Sequence, residues 1–254
     1  MFACSLLSTP AAAESVLANE RYSLKNGLDV VLHVDRDLPM VAVNLSYHVG
    51  SGHEGQRRGL AHLTEHLMFR GTLDIDDGDY RFLMQDAGAR VNASTFYHRT
   101  SYYSVLPSNQ LALALWLEAN RMRRLLPVLD GKKVEEEKQT TTDEWRERIS
   151  SQRYGESYGE LAALMYPGDH PWALATPQQI ETLDLDAVIA FVERYHGPEN
   201  ATLVLAGDLP ENVHELVRRS FRRCKGGQRP PVPQLSVPAV TAERSYARRD
   251  EFAH

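Results

Sequence analysis

Alternating apolar residues predict that the chain begins with β-strands. They flank Asn26-Gly27, a dipeptide typical of a two-residue hairpin turn. The alternating residues are Tyr22, Leu24, Leu28, Val30, Leu32 and Val34. A third strand is expected over residues 40–49, between Pro39 and Gly50. The first fifty residues are therefore predicted to be mostly sheet.

A helical spacing replaces the alternation after residue 59. Leu60, Leu63, Leu67 and Met68 recur three and four positions apart, which predicts an amphipathic helix over 59–70. Further helices are expected over 79–87, 108–125, 130–152, 185–195 and 211–221. A hairpin is expected between 91 and 106, and a strand over 201–206. The predicted fold class is α+β, an antiparallel β-sheet with helices packed on one face.

Both ends of the chain differ in character from this unit. Residues 1–18 include an apolar stretch with an Ala-x-Ala signal but no basic start, which indicates either a signal-peptide remnant or a disordered tail. Residues 225–254 are rich in proline and predict a linker toward a missing second domain. The folded domain is thus expected over 19–224.

Composition excludes several functional classes. The 254 residues carry a net charge of -6, so the chain lacks the basic field that gathers nucleic acid. The sequence has no run of about 18 apolar residues, so no membrane span is predicted. Cys4 and Cys224 lack neighbours at metal-ligand spacing, which gives no support for a thiolate site or a disulfide framework.

The strongest chemical signal is His62-Leu63-Thr64-Glu65-His66 within the first predicted helix. Two imidazoles at i and i+4 lie on one helical face, where both can bind one tetrahedral metal ion. Glu65 lies beside them, in the order of the inverted zincin motif. The alternative is a pair of surface histidines on an amphipathic helix.

A third ligand is sought in the charged helix that begins near residue 130. Glu137 and Glu144 are seven residues apart and therefore share one face across two turns. Zinc with three protein ligands keeps a position open for water, whereas a structural zinc usually has four. The pattern therefore favours a catalytic metal over a structural one.

Four motifs in order resemble the pitrilysin and insulysin family of zinc metallopeptidases, which includes mitochondrial processing peptidases and similar bacterial proteins. They are GLAHLTEHLMFRGT at 59–72, VNASTFYHRTSYY at 91–103, EKQTTTDE at 137–144 and NATLVLAGD at 200–208. The resemblance covers nearly the whole predicted domain. It implies the N-terminal catalytic half of a zinc endopeptidase with a pitrilysin-like α/β roll.

The resemblance also implies roles for individual residues. His62, His66 and Glu144 would bind one Zn²⁺, and Glu65 would be the general base. Glu137 would orient a zinc-binding histidine.

The substrate-binding residues are also taken from the resemblance. Asn92 and Ala93 would lie on an edge strand that binds peptide substrates as an added strand. Phe69 would either line a substrate pocket or pack in the core. Arg99 and Tyr102 are weaker candidates for substrate contact, with a structural role as the alternative.

The family's active site is normally closed by a second related domain or subunit, so this chain alone is expected to bind zinc but cleave slowly. One alternative is a non-catalytic closing subunit of a two-chain peptidase, and another is a structural zinc module. The intact set of ligands and Glu65 favours the enzyme. The expected location is periplasmic or secreted, with the cytoplasm as the alternative.

Overall fold

One six-stranded sheet organises the molecule. The computed structural model describes residues 17–166, 170–231, 239, 242–245 and 247. The strands run in the spatial order β1-β2-β6-β3-β5-β4. They are β1 Glu20–Ser23, β2 Asp29–Val34, β3 Met40–Tyr47, β4 Arg90–Thr95, β5 Thr100–Pro107 and β6 Ala201–Gly207. Because β4 is the last strand in this order, it leaves one edge of the sheet unpaired within the described chain.

The sheet is mixed rather than wholly antiparallel. Strand β6 pairs parallel with β2, so that Val30 lies opposite Leu203, and antiparallel with β3 on its other side. The expected α+β class is confirmed, but the antiparallel sheet needs this correction. A parallel pair requires a long crossover connection, and here the chain between β2 and β6 supplies β3, β4, β5 and most of the helices.

One face of the sheet carries the core. Burial alternates strictly along β3, as expected for a strand with one face covered. Leu45 lies opposite both Tyr102 and Leu203, and all three are at most 1% exposed. Helix residues such as Leu63 and Val188 complete the same apolar cluster. The helices therefore pack on this face, as predicted.

The helices agree with the predicted positions in most places. They are α1 Leu60–Leu67, α2 Asp79–Asp86, α3 Leu111–Arg124, α4 Gly131–Trp145, α5 Gly155–Met165, α6 Pro177–Glu181, α7 Leu185–Tyr195 and α8 Val213–Phe221. The predicted helix over 130–152 ends earlier as an α-helix and continues as a π-helical turn, Arg146–Ser150. Helices α5 and α6 were not predicted.

Ser108 is the first residue of the helix predicted over 108–125, but it does not cap α3. A 3₁₀ turn over Ser108–Gln110 precedes α3, and the Ser108 hydroxyl donates to Asp208 at 2.9 Å instead of capping the helix. The serine therefore fastens the start of α3 to the end of the sheet.

The predicted terminal segments lie largely outside the described residues. Of residues 1–18 only the last two are described. The first part of the proline-rich segment lies against the domain, since the Gln228 amide donates to the Arg194 carbonyl at 2.6 Å. Within the described chain, the helices are all too short or too polar to cross a membrane.

Candidate metal centre

Helix α1 begins at a tightly packed loop. Gly59 has φ +91°, and a Cβ there would lie 2.7 Å from the Ile180 side chain, so glycine is required on both grounds. The buried Glu54 accepts hydrogen bonds from the amides of Gly59 at 2.9 Å and Ala61 at 2.7 Å. These bonds satisfy amides that the first turn of a helix leaves unpaired, so the loop fixes the position and direction of α1.

The three expected metal ligands converge. His62 and His66 extend from α1, and Glu144 from α4, which packs beside it. The two Nε2 atoms are 3.3 Å apart, and Glu144 Oε2 lies 3.0 Å from that of His66 and 3.7 Å from that of His62. A tetrahedral zinc ion with bonds of about 2.0–2.1 Å separates its ligand atoms by about 3.3–3.4 Å. Two imidazoles and one carboxylate at this separation fit zinc.

A second glutamate fixes the orientation of His66. Glu137 Oε2 lies 3.1 Å from His66 Nδ1, and Glu137 Oε1 accepts from Arg70 at 2.7 Å. Burial acts to raise the pKa of Glu137, but these two bonds outweigh it and hold the pKa below its usual value. An ionised carboxylate can only accept, so Nδ1 carries the proton and Nε2 offers its lone pair. Glu137 is thus placed to orient a metal ligand.

The pKa values of the two histidines are shifted in opposite directions. Burial, and then the nearby His66, lowers the pKa of His62 to about 4. Burial also acts to lower the pKa of His66, but the bond to Glu137 and the surrounding carboxylates raise it overall. His62 is therefore neutral at pH 7, whereas at His66 a metal competes with a second proton, on Nε2.

Glu65 lies beside the ligands without joining them. Its Oε2 accepts a 2.6 Å hydrogen bond from the hydroxyl of Thr95, the last residue of β4. Burial raises the pKa of Glu65, while the Thr95 bond and His66 act in the opposite direction. A carboxylate with a raised pKa next to an open metal position can accept a proton from water at neutral pH.

A cleft of about 850 Å³ opens over these groups. One wall is α1 and α4, and the other is the edge strand β4, which presents Asn92 and Ala93. The Ala93 amide donates to Asn92 Oδ1 at 2.9 Å. The cleft therefore places an edge strand next to the metal ligands.

The remaining predicted substrate-binding residues lie in three different environments. Phe69 lines the cleft and is also 8% exposed, so it belongs to both the wall and the core. Arg99 lies over the Phe96 ring at 4.8 Å, beyond the end of β4. Tyr102 is 1% exposed and packs under Arg121 at 4.0 Å, which places it in the core and away from the cleft.

Several contacts were missed from the sequence. Arg70 binds Glu137 and also Asp77 and Glu136, so it anchors the carboxylate that orients His66. Arg148 binds Oε1 of Glu144 at 2.6 Å and leaves Oε2 facing the histidines. Arg148 follows Glu144 by four residues, a helical spacing that could have indicated the pair. For Arg70 the sequence holds no comparable signal.

The chain is similar to known proteins over most of its length. The family model described as Insulinase (Peptidase family M16) matches residues 29–163, which contain all three proposed ligands, and that described as Peptidase M16 inactive domain matches 182–254. The zinc protease PqqE of Helicobacter pylori is 28% identical over 93% of this chain and 54% of its own length. The chain spans about half the length of the curated relatives it matches.

Solved structures share the fold of this chain. A protease from Helicobacter pylori is 27% identical and superposes with a TM-score of 0.79 over 87% of this chain and 54% of its own. The first half of the periplasmic protease PqqL from Escherichia coli shares the fold, with a TM-score of 0.75, 21% identity, and coverage of 87% of this chain and 49% of that one. With more than half of its residues matched by the family model, the chain belongs to peptidase family M16.

Proposed function

We propose that this chain carries the zinc centre of an endopeptidase. The observation that carries the proposal is the triangle of His62, His66 and Glu144 atoms beside Glu65, in a cleft bordered by the unpaired edge of β4. Relatives named zinc proteases support the reaction class.

Each residue of the centre has one task in this proposal. When bound by His62, His66 and Glu144, zinc lowers the pKa of a water molecule and polarises the scissile carbonyl. Glu65 accepts a proton from the attacking water on a carboxylate oxygen and returns it to the leaving amine. Thr95 holds Glu65 in position, and Glu137 keeps the proton of His66 on Nδ1.

The substrate is proposed to bind as an extended peptide along β4. An added strand takes its affinity from backbone hydrogen bonds, which suits a peptidase that accepts varied sequences. Asn92 and Ala93 are proposed to meet the substrate backbone, and Phe69 a side chain near the scissile bond. Arg99, at the hairpin tip, is proposed to contact the substrate outside this region. Tyr102 is not retained, because it is buried.

A second related domain or subunit is proposed to close the cleft. The relatives are about twice as long as this chain, and the PqqL structure is described as a first half. We assign the zinc domain to residues 19–224 and a linker toward the second domain to 225–254. A periplasmic or secreted location is proposed because PqqL is periplasmic, with the cytoplasm as the alternative.

The test combines metal analysis with a fluorogenic peptide assay of the full chain, with and without a chelator. We expect one zinc per chain and slow hydrolysis that chelation abolishes. A chain that binds no zinc contradicts the proposal. Zinc binding without hydrolysis, even when a related second domain is added, favours a non-catalytic closing subunit.

A further inference from the structure

A guanidinium covers an aromatic ring at one end of the cleft. Phe69 follows α1 by two residues and lines the cleft beside the metal ligands. The guanidinium carbon of Arg81, an exposed residue of α2, lies 4.7 Å from the centroid of the Phe69 ring. Arg81 lines the same cleft. The Phe69 ring and the charge of Arg81 therefore lie together in the lining of the cleft.

The charge of Arg81 is uncompensated, unlike those of the other arginines in the cleft. Arg70 is bound to three carboxylates and Arg148 to Glu144. Across the described chain, by contrast, Arg81 has no carboxylate within ion-pair distance. Asp77, which lines the cleft four residues before Arg81 in the sequence, already binds Arg70. Among the described residues that line the cleft, Arg81 is therefore the arginine whose charge is left for a bound molecule.

The pair lies within reach of the reacting bond. The Phe69 ring contacts the Tyr102 ring at 5.9 Å, and Tyr102 lies opposite Ala93 of β4. Glu65 bonds to Thr95, two residues farther along the same strand. A peptide added to β4 advances about 3.3 Å per residue, so the offset from Ala93 to Thr95 corresponds to about 7 Å along it. On this register we place the Phe69–Arg81 pair within three substrate residues of the bond beside Glu65.

We propose that Phe69 and Arg81 form a subsite for an acidic side chain of the substrate, aspartate or glutamate, within three residues of the scissile bond. The proposal rests on the peptidase function proposed above. A guanidinium presents paired N–H donors that match a carboxylate. The Phe69 ring holds the guanidinium in place and covers the aliphatic part of the incoming side chain.

The test uses zinc-loaded full chain and peptides that differ at one position only. Glutamate, glutamine or lysine is placed in turn at each of the three positions on either side of the cleaved bond. We expect one position at which the glutamate peptide has a kcat/KM about fivefold above the glutamine peptide, with lysine lowest. This preference should weaken as salt is added.

Variants test whether a preference for glutamate comes from Arg81 or from the overall charge of the chain. Arg81→Gln should bring the glutamate-to-glutamine ratio close to one, and Arg81→Glu should favour lysine. Arg21→Gln is the matched control, because it removes the same charge from an exposed residue of β1, at the opposite edge of the sheet. It should keep the wild-type ratio.

A binding measurement distinguishes the two possible failures. Fluorescent versions of the same peptides are titrated onto zinc-loaded Glu65→Gln chain, which measures affinity without turnover. Hydrolysis or binding that favours glutamate and loses this preference in Arg81→Gln supports the subsite. If the wild type hydrolyses no peptide while the binding preference persists, the proposed function fails and the subsite stands. Equal rates and equal affinities for glutamate and glutamine overturn the subsite.

Discussion

The hydroxyl of Thr95 donates a 2.6 Å hydrogen bond to Oε2 of Glu65. This bond joins the last residue of the edge strand to the proposed general base on the metal-binding helix. The bond therefore fixes the position of the Glu65 carboxylate relative to the strand along which the substrate is proposed to bind.

Replacement of Thr95 should impair turnover without weakening metal binding. In Thr95→Val the hydroxyl is lost at similar volume, and a hydrogen bond to a charged group contributes about 1.5–3 kcal/mol. We expect kcat to fall roughly tenfold to a hundredfold with zinc affinity unchanged. Thr95→Ser keeps the hydroxyl and should restore most of the rate. Equal rates in the Val and Ser variants would contradict this role.

Replacement of Glu65 should leave a metal protein without activity. Glu65→Gln removes the proton acceptor but no ligand, so zinc content should stay at the wild-type level. General-base catalysis contributes about 10²- to 10⁴-fold, which is the loss we expect in kcat. Glu211→Gln, the same change at an exposed residue outside the cleft, is the control. Wild-type peptide cleavage by Glu65→Gln would refute the assignment.

Arg70 should act on metal affinity through Glu137. In Arg70→Gln the carboxylate that orients His66 loses its 2.7 Å partner. Loss of such outer contacts typically weakens metal binding 10- to 100-fold, and we expect about tenfold in a chelator competition assay. Arg124→Gln is the control, since Arg124 pairs with Asp74 at the surface. An unchanged zinc affinity in Arg70→Gln would show that Glu137 holds its position alone.

Glu54 should make stability depend on pH. Burial raises its pKa from 4.5 to about 7, although the Ala61 and Gly59 amides and Arg58 act to lower it. The folded chain therefore holds this proton between about pH 4.5 and 7 while the unfolded chain has released it. The contribution of Glu54 to the free energy of unfolding is largest below that range and falls as pH rises through it.

Glu54→Gln supplies the comparison, because glutamine does not titrate. Between about pH 4.5 and 7.5 the unfolding free energy of the wild type should fall relative to the variant by on the order of 3 kcal/mol. Denaturant unfolding in the presence of a chelator, which excludes metal binding, measures it. A difference that stays constant or grows with pH would be inconsistent with the raised pKa.

Local patterns in the sequence predicted most of the elements and the ligand set. The spacing of Leu60, Leu63 and Leu67 locates α1, and the resemblance indicates Glu144, 78 residues after His66, as the third candidate ligand. Both signals are short stretches of sequence: the first is a helical spacing, and the second is a motif similar to that of a known family. The site assembles because two helices that the sequence indicates separately pack against each other.

Features that depend on tertiary contacts could not be predicted. The parallel pairing of β2 with β6 joins residues more than 170 positions apart. Helix α5 has little apolar periodicity facing the core, since Ala162 is its one buried residue within the described chain. The capping box of Thr176 and Gln179 at α6 was present in the sequence but was not used. Tyr102 resembled a substrate contact because the hairpin motif does not say which side of β5 is covered.

The bond between His66 and Glu137 has a consequence for metal exchange. Glu137 binds Nδ1 of His66, and Arg148 binds Oε1 of Glu144, so both contacts leave the proposed metal-binding atoms free. These contacts do not depend on an ion, so removing and reloading the metal should not require unfolding. Cobalt, which tolerates the same ligands, could then replace zinc and report the coordination by its visible absorption.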